Sequence, residues 1–258
     1  MRVIFIGDIF AKPGRVVLKK FIPQIFEIFK PDFIIANGEN AAHGAGITNE
    51  IAEEIFSAGV DVITGGNHTF DKRSFWDIFD SKPYLLRPIN YPEGTFGKGY
   101  AILERGGLRL AVISLQGRVE LPTIDSPFAV IDRAIPQIRE ETKNIIVDFH
   151  AEATSEKKAM GFYLDGRVSA VIGTHTHVQT ADETILKGGT AYITDVGMCG
   201  VEDSVIGLDK DIALKRFITL LPWSFQPAEG KVVVDYVIID IGVLGESIAI
   251  ERGRWREP

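Results

Sequence analysis

Thiols are almost absent from this 258-residue chain, in which Cys199 is the one cysteine. A single thiol excludes an internal disulfide framework and any cysteine-rich zinc site. As a nucleophile it would need an activating partner, and the sequence shows none, so a small, partly buried side chain is the expectation. Long hydrophobic runs are missing too. No uncharged stretch approaches the roughly 20 residues that a membrane-spanning helix needs. The apolar start, Val3-Ile4-Phe5-Ile6, is too short for a signal-peptide core and runs on to the carboxylate of Asp8 with no small-residue cleavage site behind it. A cytoplasmic protein with no membrane partner is therefore expected. Basic clusters are lacking as well. Lys and Arg number 28 against 35 Asp and Glu, for a net charge of −7. That balance creates no field to hold duplex nucleic acid and suits a small substrate better than a polyanion.

What is present can bury one large core: the chain is 45% hydrophobic and has no internal repeat, low-complexity tract or linker. One domain over residues 1–258 is the economical reading. Val3 to Ile6, Phe33 to Ala36 and Val60 to Ile63 read as buried strands. Val17, Leu18, Phe21, Ile22, Ile25 and Phe29 share one helical face, and Pro23 is expected to kink or break that helix. Thr48 is placed to cap a second helix, stopped at Gly59, and Ser74 to Phe79 suggests another short one. Tyr100 to Glu104 and Leu108 to Leu115, joined by Gly106-Gly107, read as a hairpin. Helices over about Ala129 to Glu140, with an awkward Pro136, and near Ser155 to Tyr163 accompany strands at Asn144 to Val147 and Val168 to Ile172. Lys231 to Ile241 and Glu246 to Arg252 form a closing hairpin.

Each buried strand runs into residues able to bind a metal. The first leads to Asp8, the second to Glu39 and Asn40, the third to Asn67 and His68, the next to His150, and the last to His175 and His177. Ligands of open α/β sheets bind beyond the carboxyl ends of the strands, which is where these residues fall. Four of the five histidines sit there. His175 and His177 alternate along a segment read as extended, so they need not share one centre. Two neighbouring metals with one of these histidines each, bridged by a carboxylate, accommodate the set, and Glu39 is the best-placed bridge. Nitrogen and oxygen donors without thiolate suit iron, manganese or zinc. Paired metals of this kind activate water and clamp a phosphoryl group.

The order of these motifs resembles the calcineurin-like metallophosphoesterases, with two departures. Phe10 stands where that pattern has a histidine, and Gly38-Glu39-Asn40 replaces Gly-Asp. Both departures match a narrower branch, the YmdB-like bacterial cyclic-nucleotide phosphodiesterases. The resemblance covers essentially the whole chain and rests on four segments. They are Asn37-Gly-Glu-Asn-Ala-Ala42, Asp148-Phe-His-Ala-Glu-Ala-Thr-Ser-Glu156, Gly173-Thr-His-Thr-His-Val-Gln-Thr-Ala-Asp182 and Thr190-Ala-Tyr-Ile-Thr-Asp-Val-Gly-Met198. It implies a four-layer αββα sandwich, two packed mixed β-sheets flanked by helices, of the metallo-dependent phosphatase type. It also implies a first metal on Asp8, Glu39, Asn40 and His177, and a second on Glu39, Asn67, His150 and His175. Asn40 would make up for the missing histidine at Phe10. His68 would remain free as the general acid, or else serve only to anchor its neighbours. The implied activity is hydrolysis of 2′,3′- and 3′,5′-cyclic nucleotides with iron or manganese, zinc being a third candidate.

Other polar residues are ambiguous. Asp148 could orient His150, and Asp195 could support the ligands, but each could equally cap a helix or bond within a loop. Arg118 is expected in a surface salt bridge rather than on phosphate, and His43 in a solvated loop. The oligomeric state is open, a homo-oligomer included. Two rival functions are a dinuclear hydrolase of a non-phosphate bond and a regulatory metal-binding protein with little catalysis. The Gly-Asn-His motif at Gly66-Asn67-His68 counts against the first, and an unliganded His68 against the second.

Overall fold

Alternation along the strands sorts the chain into layers. In the computed structural model, which describes residues 1–257, β1 (Arg2–Ile6) turns Val3 and Phe5 to one side and Ile4 and Ile6 to the other. The remaining strands of the first half are β2 (Asp8–Ile9), β3 (Phe33–Asn37), β4 (Val62–Thr64), β5 (Tyr100–Arg105) and β6 (Leu108–Gln116). The second half supplies β7 (Ile145–His150), β8 (Ala170–Thr174), β9 (Thr184–Ile185), β10 (Ala191–Ile193) and β11 (Met198–Val201). A long final hairpin consists of β12 (Val232–Ile241) and β13 (Ser247–Arg256). The helices are α1 (Ala11–Phe29), α2 (Asn49–Ser57), α3 (Ile78–Ser81), α4 (Pro127–Glu141), α5 (Thr154–Leu164) and α6 (Lys210–Thr219).

Two mixed sheets result. One runs β2-β11-β12-β1-β3-β4 with β13 on the other edge of β12, and the second runs β5-β6-β7-β8-β10-β9. Val3, Phe5, Phe33 and Ile35 of the first sheet meet Val112, Ile146 and Ile172 of the second in one apolar layer. The outer face of the first sheet packs on α1 and α2 through Leu18, Phe21, Ile51 and Ile55, and that of the second on α4 and α5 through Ile131, Ile135, Met160 and Leu164. This is the four-layer arrangement that the resemblance implies.

Neither proline breaks its helix. α1 continues through Pro23 and α4 through Pro136. Both rings are exposed, and the carbonyls they free belong to Lys19 and Asp132, also exposed, where water can satisfy them. The Thr48 cap forms, its side chain accepting from the Ile51 amide at 3.3 Å, and Gly59 follows with φ +109°. The strand expected from Val60 starts at Val62 instead, and Ser74 to Phe79 divides between a 3₁₀ turn, Arg73–Phe75, and α3. Short β2 and the strands β9 to β11 carry too little period-2 pattern to be read from sequence. No helix among the described residues is long and apolar enough to cross a membrane.

Candidate metal centre

β1, β3, β4, β7 and β8 run parallel within their sheets, so their carboxyl ends gather at one end of the sandwich. The backbone there follows constrained paths. At Gly66, just past β4, an added Cβ would lie 2.3 Å from His150 Cδ2 and 2.4 Å from Glu39 Oε2, so only glycine lets this turn pass so close. His175 and His177 have φ of +102° and +64°. The segment is therefore not extended, as its alternation had suggested, but doubly left-handed, a conformation that costs energy in non-glycine residues and collects at functional sites.

Two groups of side chains form. In the first, His150 Nε2 lies 2.9 Å from Glu39 Oε1, 2.9 Å from His175 Nδ1 and 3.1 Å from Asn67 Oδ1. One proton on Nε2 cannot satisfy three such neighbours, whereas a cation among them can. In the second, Asn40 Nδ2 is 3.1 Å from His177 Nε2 and 3.3 Å from Glu39 Oε1, and Asp8 Oδ1 is 3.8 Å from His177 Nε2. That Asp8 oxygen is buried and has no hydrogen-bond partner. A buried, unpartnered carboxylate oxygen is costly unless something positive meets it. All donors are nitrogen or oxygen, and Glu39, His150 and His175 lie close enough to share one hard or borderline metal ion.

Electrostatics follow from burial. Burial pushes the Asp8 carboxyl up, against the pull of His177 and His150. Burial also pushes Glu39 up, but His150 and then His68 outweigh it and hold the carboxyl at about 2. His150, pulled down by burial, is raised further by Glu39 to about 9. His175 is lowered to about 3 by burial and by the charge of His150. One imidazolium sits over the carboxylates, and a metal must displace its proton.

The surrounding residues hold this arrangement. Asp148, raised by burial to about 6, does not bond to His150 directly. It accepts from Thr174 Oγ1 at 2.7 Å, Thr64 Oγ1 at 2.5 Å and Asn37 Nδ2 at 2.9 Å, and Thr174 Oγ1 lies 2.9 Å from His150 Nδ1. Asp195 accepts from the Thr176 amide and hydroxyl, midway between the two histidines, and pairs with the buried Lys157 at 2.8 Å. His177 Nδ1 meets the Ile206 carbonyl at 2.9 Å, which leaves Nε2 for a metal. Phe10 stacks edge-on against His177 at 5.6 Å.

His68 stands apart from both groups. Its amide donates to Glu39 Oε2 at 2.8 Å, its Nδ1 lies 2.7 Å from Asp71 Oδ2, and its ring borders a cavity of about 480 Å³ that also exposes Asn40, His175 and His177. A larger cleft of about 620 Å³ beside β5 is bordered by neither histidine nor carboxylate and offers no comparable chemistry. His43 is exposed yet borders the histidine-lined cavity. Arg118 forms no ion pair among the described residues, contrary to expectation, because the nearby Glu156 carboxylate is occupied by the backbone amides of Arg118 and Val119. Cys199 is fully buried, and burial pushes its thiol far up, away from reactivity. Sequence reading missed Glu152, 3.0 Å from His175 Nε2, and Asp71. Both are carboxylates a few residues beyond a ligand candidate, which was the available signal.

A 2′,3′-cyclic-nucleotide 2′-phosphodiesterase of Bacillus subtilis is 53% identical over 98% of this chain and 96% of its own length. A solved structure of a hypothetical protein from Thermus thermophilus is 42% identical, covers both chains fully and superposes with a TM-score of 0.93. That of a novel phosphatase from Mycoplasma pneumoniae is 33% identical over 99% of this chain and 93% of its own, also at 0.93. A putative 5′-nucleotidase of Staphylococcus aureus, 14% identical, shares the fold at 0.58 over 97% of this chain and 53% of its own. Residues 4–252 match the family described as YmdB-like protein, and with these relatives they make the chain a member of the YmdB-like family.

Proposed function

We propose that this chain is a dinuclear metal-dependent phosphodiesterase acting on cyclic nucleotides. The observation that carries the reading is the crowding of Glu39, His150, His175 and Asn67 beside the unpartnered Asp8 oxygen, at the wall of an open cavity. Asp8, Glu39, Asn40 and His177 would hold one ion, and Glu39, Asn67, His150 and His175 the other. Asn40 would join with its amide turned over, so that Oδ1 rather than Nδ2 faces Glu39 and His177. Bound there, two ions would activate water and neutralise the phosphoryl oxygens. Iron or manganese, with zinc third, suits the donor set.

The chain's own residues do the rest. Glu39 anchors both groups, and Thr174 fixes the His150 ring so that Nε2 faces inward. Asp71 holds His68 by Nδ1, leaving Nε2 at the cavity to protonate the departing oxygen. The 2′,3′-cyclic substrate is supported by the name of the Bacillus subtilis relative, and the 3′,5′-cyclic one by family resemblance alone. The reading takes residues 1–258 as one cytoplasmic catalytic domain, supported by the apolar layer that both sheets share.

Elemental analysis of purified protein, with a screen of both cyclic nucleotides and of phosphomonoesters, tests it. Two ions per chain and turnover of the cyclic substrates are expected. A fully occupied mononuclear site, or a loaded protein inert to every diester, would sink it. His68→Ala should keep both ions and slow cyclic-nucleotide hydrolysis by ~10²–10⁴-fold. The loss should be smaller on a nitrophenyl ester, whose leaving group needs no proton. Equal losses on both substrates would reassign His68 to positioning.

A further inference from the structure

The larger cleft, beside β5, holds no metal donors but gathers cations. Its lining includes Arg87 and Lys98 and no Asp or Glu, although acidic residues outnumber basic ones along the chain. Arg87 is half-buried. Among the described residues only Nη1 of its guanidinium is engaged, donating to the Pro88 and Ile89 carbonyls at 2.9 and 3.3 Å. Its Nε is buried without a partner. Burial pulls the guanidinium down, and only Tyr91, not a carboxylate, opposes that pull. Lys98 is exposed and adjacent, since the Arg87 amide donates to its carbonyl at 3.0 Å. Two tyrosines also line the cleft, Tyr84 at 40% and Tyr100 at 36% exposure. Close backbone contacts fix the walls. A Cβ on Gly99 would lie 2.4 Å from Ile89 Cα, and one on Gly97, at φ +82°, 2.6 Å from Phe79 Cβ. The cleft is therefore preformed.

We propose that this cleft binds a small aromatic phosphomonoester, of the nucleoside monophosphate class. A half-buried cation without a counter-charge is costly, and an anion in the cleft offsets that cost. Arg87 and Lys98 together match the double charge of a phosphomonoester, the guanidinium through its planar fork and the ammonium as a point charge. The rings of Tyr84 and Tyr100 and the apolar side chains of Ile89 and Ile102 suit a planar base, because stacking needs only a π-face. A cavity of about 620 Å³ takes one small molecule, such sites spanning ~300–1,000 Å³. A nucleic-acid strand is disfavoured by the chain's net charge of −7. The cleft shares no bordering residue with the cavity of the candidate metal centre. It is a second site, and it stands without the phosphodiesterase reading.

Titration calorimetry of the whole 258-residue chain with 5′-AMP tests this, in EDTA so that no ion at the metal centre competes for the phosphate. Ribose 5-phosphate, which lacks the base, and adenosine, which lacks the phosphate, should each bind at least ~10-fold more weakly than 5′-AMP. Arg87→Met combined with Lys98→Met should weaken 5′-AMP binding ~10–100-fold with an unchanged circular dichroism spectrum. Should that variant fail to fold, Lys98→Met alone alters only an exposed side chain and should still lose severalfold, whereas Lys187→Met, exposed and outside the cleft, should lose nothing. Tyr84→Ala combined with Tyr100→Ala should weaken 5′-AMP ~5–100-fold and leave ribose 5-phosphate unchanged. Crystals soaked in 5′-AMP should show its phosphate against Arg87 and Lys98. No binding at millimolar 5′-AMP, a folded Arg87 and Lys98 variant that binds as the wild type does, or soaked density at the metal centre alone overturns the proposal. Equal affinity for 5′-AMP and ribose 5-phosphate overturns it in favour of a site for simple anions. None of these readouts uses turnover, so failure here and failure of the phosphodiesterase reading are separate outcomes.

Discussion

Two regions of the same strands obey opposite rules. Along most of their length β1, β3, β7 and β8 send Val3, Phe5, Ile35, Ile146 and Ile172 between the sheets, apolar and fully buried. A few residues further, Asp8, Glu39, Asp148 and His150 are just as buried but polar. The first region is stabilised by area withdrawn from water, at about 25 cal/mol per Å². The second costs desolvation, offset only by pairing within the group or by cations. Burial by itself therefore does not separate core from site. What marks the second region is the convergence of buried carboxylates and imidazoles, with one Asp8 oxygen among them left unpartnered.

Four measurements would break or sharpen this contrast. Glu39→Gln should have the largest effect. It removes the shared anchor, so both ions should be lost and turnover should fall by roughly a thousandfold or more. Full occupancy of either site in that variant would break the idea of a bridge. Phe5→Ala, in the apolar layer, should lower unfolding free energy by about 3–5 kcal/mol in denaturant titrations while folded molecules keep their metal. Metal lost in proportion to stability would show that the two regions are not separable.

A smaller effect concerns pH in chelator-treated protein. His150 rises from 6.5 to about 9 on folding, so its contribution is complete below 6.5 and disappears as pH climbs through 9. Asp148 goes from 3.8 to about 6, so stability also falls across that interval. Glu39 and His175 have the opposite sign: Glu39, held at about 2 against 4.5, contributes above 4.5 and loses this as pH falls through 2, and His175, lowered from 6.5 to about 3, costs stability that is recovered as pH rises from 3 to 6.5. Thermal melts without metal should peak in mildly acidic buffer and decline toward pH 9, and a flat profile would contradict this. The smallest effect belongs to Arg2→Met. The Arg2–Asp240 pair, 2.8 Å apart and partly exposed, should be worth less than about 1 kcal/mol, with turnover unchanged.

Much of this molecule is legible in its residues. Short apolar runs mark β1, β3 and β7, alternation marks β12, and helical spacing marks α1, α2 and α4, because the pattern of burial is a local property of sequence. Strand ends occupied by Asp8, Glu39, His150 and His175 point to one edge for the same reason. Other features depend on neighbours far along the chain. Pro23 and Pro136 are tolerated only because their freed carbonyls face water. β2, β10 and β11 exist because longer strands offer them partners. The grouping of His175 with His150 and of His177 with Asp8 depends on left-handed turns that no spacing rule anticipates. Sequence by itself determined which residues could bind metal and which faces were apolar, since both are written in side-chain chemistry. Tertiary structure alone decided which donors meet and which carboxylate oxygens are left unpartnered, because each depends on distances between residues scores of positions apart.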